Sequence, residues 1–166
     1  MQVLFSQKAY NLILRECVSH KDIESGGILM GKKMKNSDFV VAFAIGSGPR
    51  AVRSSFRFTP DVTWQQGILD KLFSLYSIDY VGSFHRHPGL NHRPSSLDYK
   101  AASEIISSPD WNTSEAIFPI VNFNDGRIEI HPYYFSQKSN GFQPVSWMII
   151  PNKSRLLKSA FQRRNK

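Results

Sequence analysis

A histidine-containing segment near the middle of the chain places the tightest limits on the fold. Residues 80–87 have the pattern of a buried strand that Pro88 ends, and Ser95 precedes a helical pattern that continues to Ile106. A loop of seven residues, 88–94, joins the two elements. The chain therefore needs a strand whose end lies near the start of a helix, which predicts a layered domain containing both.

The same segment carries three side chains suited to one metal ion. His85 and His87 are two residues apart on the strand, so their side chains point to the same face. Asp98 falls in the first turn of the helix and directs its carboxylate back towards the strand end. Two imidazoles and one carboxylate suit tetrahedral zinc with a catalytic water as the fourth ligand. The pattern predicts one Zn²⁺ per chain, in a catalytic site.

Hydrolysis at such a site also needs a base and a donor for the developing oxyanion. Glu24 is the candidate base because it comes just before the strand 28–31, whose neighbouring glycines permit close approach of other backbone. Ser95, besides capping the helix, can donate a hydrogen bond to the oxyanion. Metal binding, base and oxyanion donor are thus assigned to separate residues.

Each of these features also has a simpler structural explanation. A His-x-His pair is more often an ordinary polar pair, Ser-x-x-Asp is usually a helix cap, and a Glu before a glycine-rich strand is usually a surface acid. Their combination in one short chain favours the metal site. His92, in the loop, can compete as a ligand or contact substrate, although an exposed loop histidine is the simpler interpretation. His20 and His131 have no matching partners, and we expect both to be structural.

The remaining hydrophobic pattern predicts an α+β (α/β/α-like) domain built on a mixed sheet. Asn124-Asp125-Gly126 is a hairpin signal, and helices are expected to follow Ser6 and Thr59-Pro60-Asp61. In the first of these helices Tyr10, Leu14 and Val18 fall four residues apart. Further strands are expected at residues 2–5, 28–31, 39–45, 55–58, 115–123, 127–135 and 147–150.

Length and charge indicate one domain, residues 1–152, followed by a basic helical tail, residues 153–166. The chain has 166 residues and a net charge of +8, of which the tail supplies six Lys or Arg and no acid. Leu156, Leu157, Ala160 and Phe161 have amphipathic spacing, with Arg163 and Arg164 largely outside the apolar stripe. We expect a solvated helix face or a contact with an acidic protein, and no nucleic-acid partner, because stacking aromatic residues are not interleaved with the charges.

The cysteine content and the apolar stretches exclude other classes of protein. The single cysteine, Cys17, excludes an intrachain disulfide and a multi-cysteine zinc site. The longest apolar stretches are far shorter than the roughly 20 residues of a membrane span, and no secretory signal is evident. We therefore expect a cytoplasmic protein with no membrane partner.

The site residues resemble the JAMM signature of the JAB/MPN family: an upstream Glu, His-x-His-Pro, six residues, and Ser-x-x-Asp. Every position has its match here, in Glu24, His85, His87, Pro88, Ser95 and Asp98. The resemblance covers residues 23 to about 123. It implies that His85, His87 and Asp98 bind zinc, that Glu24 is the general base and that Ser95 stabilises the oxyanion. It also implies an MPN/cytidine-deaminase-like curved mixed β-sheet flanked by helices.

The resemblance further implies an isopeptidase or peptidase that cleaves after the C-terminal tail of a ubiquitin-like protein. The compact size is similar to that of prokaryotic members, which often occur with E1-like and E2-like partners, including in antiphage systems. Arg86 departs from the Ser or Thr usual between the two histidines, but its side chain should face away from the metal. Two alternatives remain, namely release of a sulfur-carrier protein by the same chemistry and a non-catalytic MPN scaffold, against which the intact ligand set argues.

The expected substrate tail also predicts the shape of its binding site. A tail that ends in glycines suits a narrow groove, because only glycine lets the main chain pass close to the metal without a side-chain clash. The tail is expected to lie extended along a strand edge and to add main-chain hydrogen bonds. Residues 50–58 and 88–94 are the candidates for the groove wall.

Overall fold

The computed structural model describes residues 1–55, 57–89, 91–139 and 141–160. In this part of the chain the helices are α1 (Gln7–Ser19), α2 (Val62–Leu75), α3 (Ser96–Ser107) and α4 (Arg155–Ala160), and a 3-10 turn spans Pro109–Trp111. The strands are β1 (Gln2–Ser6), β2 (Ser25–Lys33), β3 (Phe39–Ile45), β4 (Val52–Arg53), β5 (Phe58–Thr59), β6 (Asp79–Arg86), β7 (Glu115–Ile117), β8 (Ile120–Asn124), β9 (Arg127–His131), β10 (Tyr133–Ser136), β11 (Gln143–Pro144) and β12 (Ser146–Ile150).

One mixed sheet organises the molecule. Within the described residues it has ten strands, with the order β11-β10-β7-β6-β2-β3-β1-β12, and β8 pairs with both β6 and β9. Strand β2 lies antiparallel to β3 and β6, whereas β6 lies parallel to β7 and β8. The short strands β4 and β5 form a separate antiparallel pair. The sheet is curved, nearly closed and flanked by helices, which confirms the mixed α+β class expected from the sequence.

Helices pack on both faces of this sheet, as the alternation along β2 shows. Leu29 belongs to a buried cluster with Ile13 of α1. Its neighbours Ile28 and Met30 point to the opposite face and join a second cluster with Ile106 of α3. A central strand that is buried on both faces explains why this stretch of the sequence is continuously apolar.

Helix α1 buries a different stripe from the one that the sequence suggested. Val18 is 51% exposed, and Tyr10 and Leu14 are only partly buried. The small side chains of Ala9 and Cys17 allow the helix backbone to lie close to the sheet, while Tyr10 stacks on Trp147 at the flank of the helix. The fully buried positions lie one residue earlier, at Ala9, Ile13 and Cys17.

The second predicted helix starts later than Thr59. Its N-cap is Asp61, whose side chain accepts a hydrogen bond from the backbone N–H of Trp64 at 3.2 Å. Pro60 therefore precedes the cap instead of opening the helix. The strand expected at 55–58 was also placed too early, because β5 is Phe58–Thr59, and Phe56 lies outside the described residues.

Prolines divide the two long strands that were predicted on either side of the hairpin. The turn at Asp125-Gly126 joins β8 to β9 as expected, and both residues have positive φ angles, of 47° and 74°. Pro119 separates β7 from β8, and Pro132 separates β9 from β10, because proline lacks the N–H that a continuous ladder needs. The four shorter strands can therefore change direction and close the sheet near β6.

The described start of the basic tail packs against the domain. Leu157 of α4 is 7% exposed and joins a buried cluster with Leu4, Val40 and Ile150, whereas Leu156 is 44% exposed. The predicted continuation of this helix through residues 161–166 lies outside the described residues. No helix in the described part of the chain is both long and apolar enough to cross a membrane.

Candidate metal centre

The end of β6 and the start of α3 bring His85, His87 and Asp98 together. The backbone N–H of His85 donates to the Pro119 carbonyl at 3.1 Å, and that of His87 donates to the Val121 carbonyl at 3.0 Å. His87 follows the last residue of β6, so the strand begins and ends one residue earlier than the predicted 80–87. These bonds keep the backbone extended through His87, which leaves both imidazoles on the same side of the strand.

The three side chains converge on one point. The Nε2 atoms of His85 and His87 are 2.7 Å apart, and Asp98 lies 3.0 Å from His85 Nε2 through Oδ1 and 3.5 Å from His87 Nε2 through Oδ2. His87 Nδ1 lies 3.0 Å from the carbonyl oxygen of Asn91. Because a carbonyl only accepts, Nδ1 of a neutral His87 carries the proton, and the lone pair of Nε2 faces the other two side chains.

This donor set fits a zinc ion. Tetrahedral zinc with bonds of about 2.0–2.2 Å places neighbouring ligand atoms about 3.3–3.6 Å from each other. The observed separations run from 2.7 to 3.5 Å, so small adjustments bring all three donors to bonding distance of one ion. Two histidines and one carboxylate leave a fourth position, as a catalytic site requires.

Electrostatics favour an ionised carboxylate at the centre. Burial alone would raise the pKa of Asp98, but hydrogen bonds from His85 and His87 hold it well below its ordinary value. Burial is the largest single influence on the pKa of His87 and would lower it, but the hydrogen bond that protonated His87 donates to Asp98, the negative charge of Asp98 and the bond to Asn91 together raise it. Asp98 is therefore an anion at neutral pH, which is the form that binds a metal.

Ser95 fixes Asp98 through a capping box. The backbone N–H and the Oγ–H of Ser95 both donate to Asp98 Oδ2, each at 2.6 Å, and Ser95 Oγ accepts from the Asp98 N–H at 3.3 Å. This arrangement confirms the helix cap that the sequence predicted. It also orients the carboxylate towards the two histidines.

Glu24 enters the site from the neighbouring strand. It directly precedes β2, which lies antiparallel to β6, and its backbone N–H donates to the Ser54 carbonyl at 2.8 Å. Its half-buried side chain lines the same cavity as His85 and Asp98. Burial raises the pKa of Glu24, and the charges of His85 and His87 partly offset this rise.

Arg86 lies on the reverse face of the strand, as predicted. Its side chain is buried, with the residue 4% exposed. Its Nη1 donates to the carbonyls of Ile23 at 3.0 Å and His20 at 3.4 Å, and the guanidinium lies 4.9 Å from the centre of the Phe123 ring. The arginine therefore does not obstruct the histidine side of β6.

The other histidines lie outside this group. The ring of His92 stacks on that of His131 with centroids 4.3 Å apart, and His131 Nε2 lies 3.3 Å from a carboxylate oxygen of Glu129. His20 Nδ1 is 2.9 Å from the Glu16 carbonyl. Among the described residues, the group that could hold a metal consists of His85, His87 and Asp98, and His92 lies outside it.

A cavity of about 670 Å³ extends from this centre along an apolar wall. The wall includes Phe58, Ile105, Phe118 and Phe142, which are far apart in the chain, so no local sequence pattern identified them. Of the segments expected to form the groove, 50–58 contributes Arg57 and Phe58, and 88–94 contributes Pro94. Phe56 and Leu90 lie outside the described residues.

Comparisons with known proteins agree with this geometry. No protein-family model matches the chain. It is 31% identical over 101 residues to "Probable metalloprotease y4qB" of Sinorhizobium fredii, covering 59% of this chain and 62% of that protein. It is 26% identical over 124 residues to "CD-NTase/cGAS isopeptidase" of Enterobacter hormaechei subsp. hoffmannii, covering 72% of this chain and 66% of that protein. The chain thus spans less than two thirds of either relative.

The fold also occurs in a solved structure. The solution structure of protein DSY2949 from Desulfitobacterium hafniense has a TM-score of 0.64, with 15% sequence identity, and covers 90% of this chain and 93% of that one. This likeness shows a shared fold. The two sequence relatives are named as a metalloprotease and an isopeptidase, and the His85–His87–Asp98 group of this chain could hold a metal ion.

Proposed function

We propose that this chain is a JAMM-type zinc isopeptidase or peptidase that cleaves after the C-terminal tail of a ubiquitin-like protein. The observation that carries the proposal is the convergence of His85, His87 and Asp98 in a cavity that Glu24 also lines. The names of the two relatives, a metalloprotease and an isopeptidase, support the reaction class.

The proposed reaction divides the work among the residues of the site. His85, His87 and Asp98 would hold the ion. A bound Zn²⁺ lowers the pKa of a water molecule and polarises the carbonyl of the substrate. The Glu24 carboxylate accepts a proton from the attacking water and delivers it to the leaving nitrogen. One C–O bond forms, one C–N bond breaks, and the products are a carboxylic acid and an amine.

Ser95 is the proposed oxyanion donor. Its hydroxyl donates to Asp98 Oδ2 in this structure, as does its backbone N–H. The hydroxyl can turn towards a developing oxyanion while the N–H continues to hold the carboxylate. Ser95 can thus donate to substrate without releasing Asp98.

The apolar wall of the cavity supports the proposed substrate class. At Gly26 an added Cβ would lie 2.7 Å from the Phe58 ring, so this aromatic side chain of the wall packs directly on β2. The apolar wall suits the residues that precede the terminal glycines of a ubiquitin-like tail. The relative named for CD-NTase/cGAS supports removal of a conjugate. We place the chain in the cytoplasm of a bacterium, with E1-like and E2-like partners in a conjugation or antiphage system.

Zinc stoichiometry is the first test. Protein purified without added metal should contain about one zinc per chain, and His87→Ala should lose it. The matched control is His131→Ala, which alters a histidine outside the metal group and should retain zinc. If the wild type binds no zinc even after reconstitution, the proposal fails and a non-catalytic scaffold is favoured.

Turnover of a ubiquitin-like fusion tests the base. Glu24→Gln keeps a hydrogen-bonding side chain but cannot accept the proton, so it should retain zinc and lose about 10²- to 10⁴-fold in kcat. Retained turnover in this variant would remove Glu24 from the role of base.

A further inference from the structure

A partly buried carboxylate on α1, that of Glu16, joins three segments near the candidate base. Glu16 Oε1 accepts hydrogen bonds from Ser25 Oγ at 2.5 Å, Ser47 Oγ at 2.5 Å and Arg53 Nη2 at 3.4 Å. The side chains of Glu16 and Arg53 are each 15% exposed. One oxygen atom therefore connects α1, the first residue of β2 and the loop after β3.

These bonds hold both sides of the backbone hydrogen bond that Glu24 makes. The N–H of Glu24 donates to the carbonyl of Ser54 at 2.8 Å. Ser25 follows Glu24 in the chain, and Arg53 precedes Ser54. Glu16 is thus bonded to the immediate neighbour of the donor and to the immediate neighbour of the acceptor. Arg53 Nη2 also donates to Ser47 Oγ and to the Gly48 carbonyl, which fixes the loop itself.

A second cation anchors the residue before Glu24. Arg86 Nη1 donates to the Ile23 carbonyl at 3.0 Å, from a position between the two metal-site histidines. Residues 23, 24 and 25 are therefore each held by a separate hydrogen bond, and one of these bonds comes from Arg86, the residue between His85 and His87.

The network of Glu16, Arg53 and Arg86 includes features that lower the stability of the folded chain, so stability alone does not explain it. The Nε atoms of Arg53 and Arg86 are buried without a hydrogen-bond partner among the described residues. A buried charged group with an unpaired donor costs stability, and apolar residues fill such space at lower cost. Any side chain larger than glycine at position 46 would also meet the carboxylate, because an added Cβ there lies 2.5 Å from Glu16 Oε2. Such departures from an apolar core are typical of functional sites.

We propose that Glu16 and Arg53 are positioning residues that fix the Glu24 backbone relative to the metal group. The kinetic part of this inference rests on the proposed function, whereas the structural part does not. Without the carboxylate, Ser25 and the loop of Arg53 lose their common acceptor, and Glu24 gains freedom to move. A misplacement of about 1 Å costs about 100-fold in rate. Zinc affinity and KM should change little, because neither residue contacts His85, His87 or Asp98.

The test compares three variants of the full chain. Glu16→Ala removes the shared acceptor, and Ser25→Ala is a milder change that removes only the bond nearest Glu24. The matched control is Glu115→Ala, since Glu115 is also a partly buried carboxylate, accepts a hydrogen bond from Tyr134 Oη at 2.7 Å and does not line the cavity. The measurements are kcat, KM and zinc affinity, together with hydrogen exchange of the Glu24 and Leu29 amides in metal-free protein.

The proposal predicts a local effect. In Glu16→Ala and Ser25→Ala, exchange of the Glu24 amide should quicken by about tenfold or more, while that of Leu29, in the middle of β2, stays unchanged. The kcat should fall at constant KM and zinc affinity, and Glu115→Ala should match the wild type. Equal acceleration at both amides in Ser25→Ala would show a general loss of stability and overturn the proposal. Unchanged Glu24 exchange would overturn it as well.

The exchange rates separate this inference from the proposed function. A wild-type protein that cleaves no ubiquitin-like fusion would contradict the proposed function. Exchange at Glu24 would still decide whether the network holds this residue, because that measurement needs neither metal nor substrate.

Discussion

Replacing Gly26 with alanine tests how closely β2 must approach β6 for the site to form. A Cβ at this position would lie 2.3 Å from the Phe84 carbonyl oxygen and 3.0 Å from the His85 Cα, whereas ordinary contacts begin at 3.4 Å. Gly26 pairs directly with His85 across the two strands. The strands must therefore separate by about 1 Å at this pair, since both close atoms belong to backbone. Glu24 and His85 lie on opposite sides of the gap.

The expected result is a combined loss of activity and stability. A shift of about 1 Å between base and metal group should lower kcat by about 100-fold. Overpacking between the strands should lower the free energy of unfolding by about 1–3 kcal/mol. The control is Gly67→Ala in α2, where an added Cβ meets no atom within 4 Å. That change should stabilise the helix by about 0.5–1 kcal/mol and leave turnover unchanged.

Urea unfolding and steady-state cleavage of a ubiquitin-like fusion provide the two measurements. If Gly26→Ala has the turnover and the unfolding free energy of the wild type, the strands tolerate the extra atom and the reasoning is wrong. A loss of stability without a loss of kcat would refute the link between strand spacing and the position of Glu24.

Further predictions concern the metal ligand Asp98, the Glu16 carboxylate, the glycines of the substrate and the basic tail, residues 153–166. Asp98→Asn should weaken zinc binding because it removes the anionic ligand. The loss of affinity, measured by chelator competition, should exceed the about 10- to 100-fold that follows from removing a residue that only hydrogen-bonds to a ligand. Unchanged affinity would exclude Asp98 as a ligand. For Glu16, burial would raise the pKa, but hydrogen bonds from Ser25 and Ser47 help to lower it below its ordinary 4.5. The ionised Glu16 carboxylate therefore contributes its full stabilisation above pH 4.5, and this contribution is lost as the pH falls towards the lower pKa of the folded state. The difference in unfolding free energy between wild type and Glu16→Gln should shrink below pH 4.5. A constant difference would contradict this account. Alanine in place of the terminal glycines of the substrate tail should slow cleavage, and equal rates would refute the narrow groove. Removal of residues 153–166 should cost about 2–4 kcal/mol of unfolding free energy, because Leu157 leaves its buried cluster, and an unchanged value would show that this contact is not stabilising.

The metal group was predictable because its geometry depends on local rules. The period of two along a strand places His85 and His87 on one face, and the capping preference of Ser95 sets the start of α3. A short loop between the two elements then brings Asp98 to the histidines. The Asp125-Gly126 turn was predictable for the same reason, since its two positive φ angles are a local requirement.

Contacts between residues far apart in the chain could not be predicted from local sequence rules. The rotation of α1 depends on which side chains the sheet can accept, and the small residues Ala9 and Cys17 face the sheet while Tyr10 lies at the flank. Arg53 lies 37 residues from Glu16 in the chain, so no spacing rule connects them. The cap at Asp61 was missed because Thr59 and Asp61 both have capping side chains, and the Asp61 N–H bond to the Ser47 carbonyl, at 2.7 Å, adds a contact that the sequence does not show.

The double hydrogen bond from Ser95 to Asp98 has a consequence for the order of folding and metal binding. A zinc finger unfolds when its ion leaves, because nothing else orders its ligands. Here Asp98 remains tied to the first turn of α3 through two bonds that need no ion. Loading with metal can therefore follow folding, and chelation should be reversible. A variant without the two histidines should keep this helix start, because neither bond involves them.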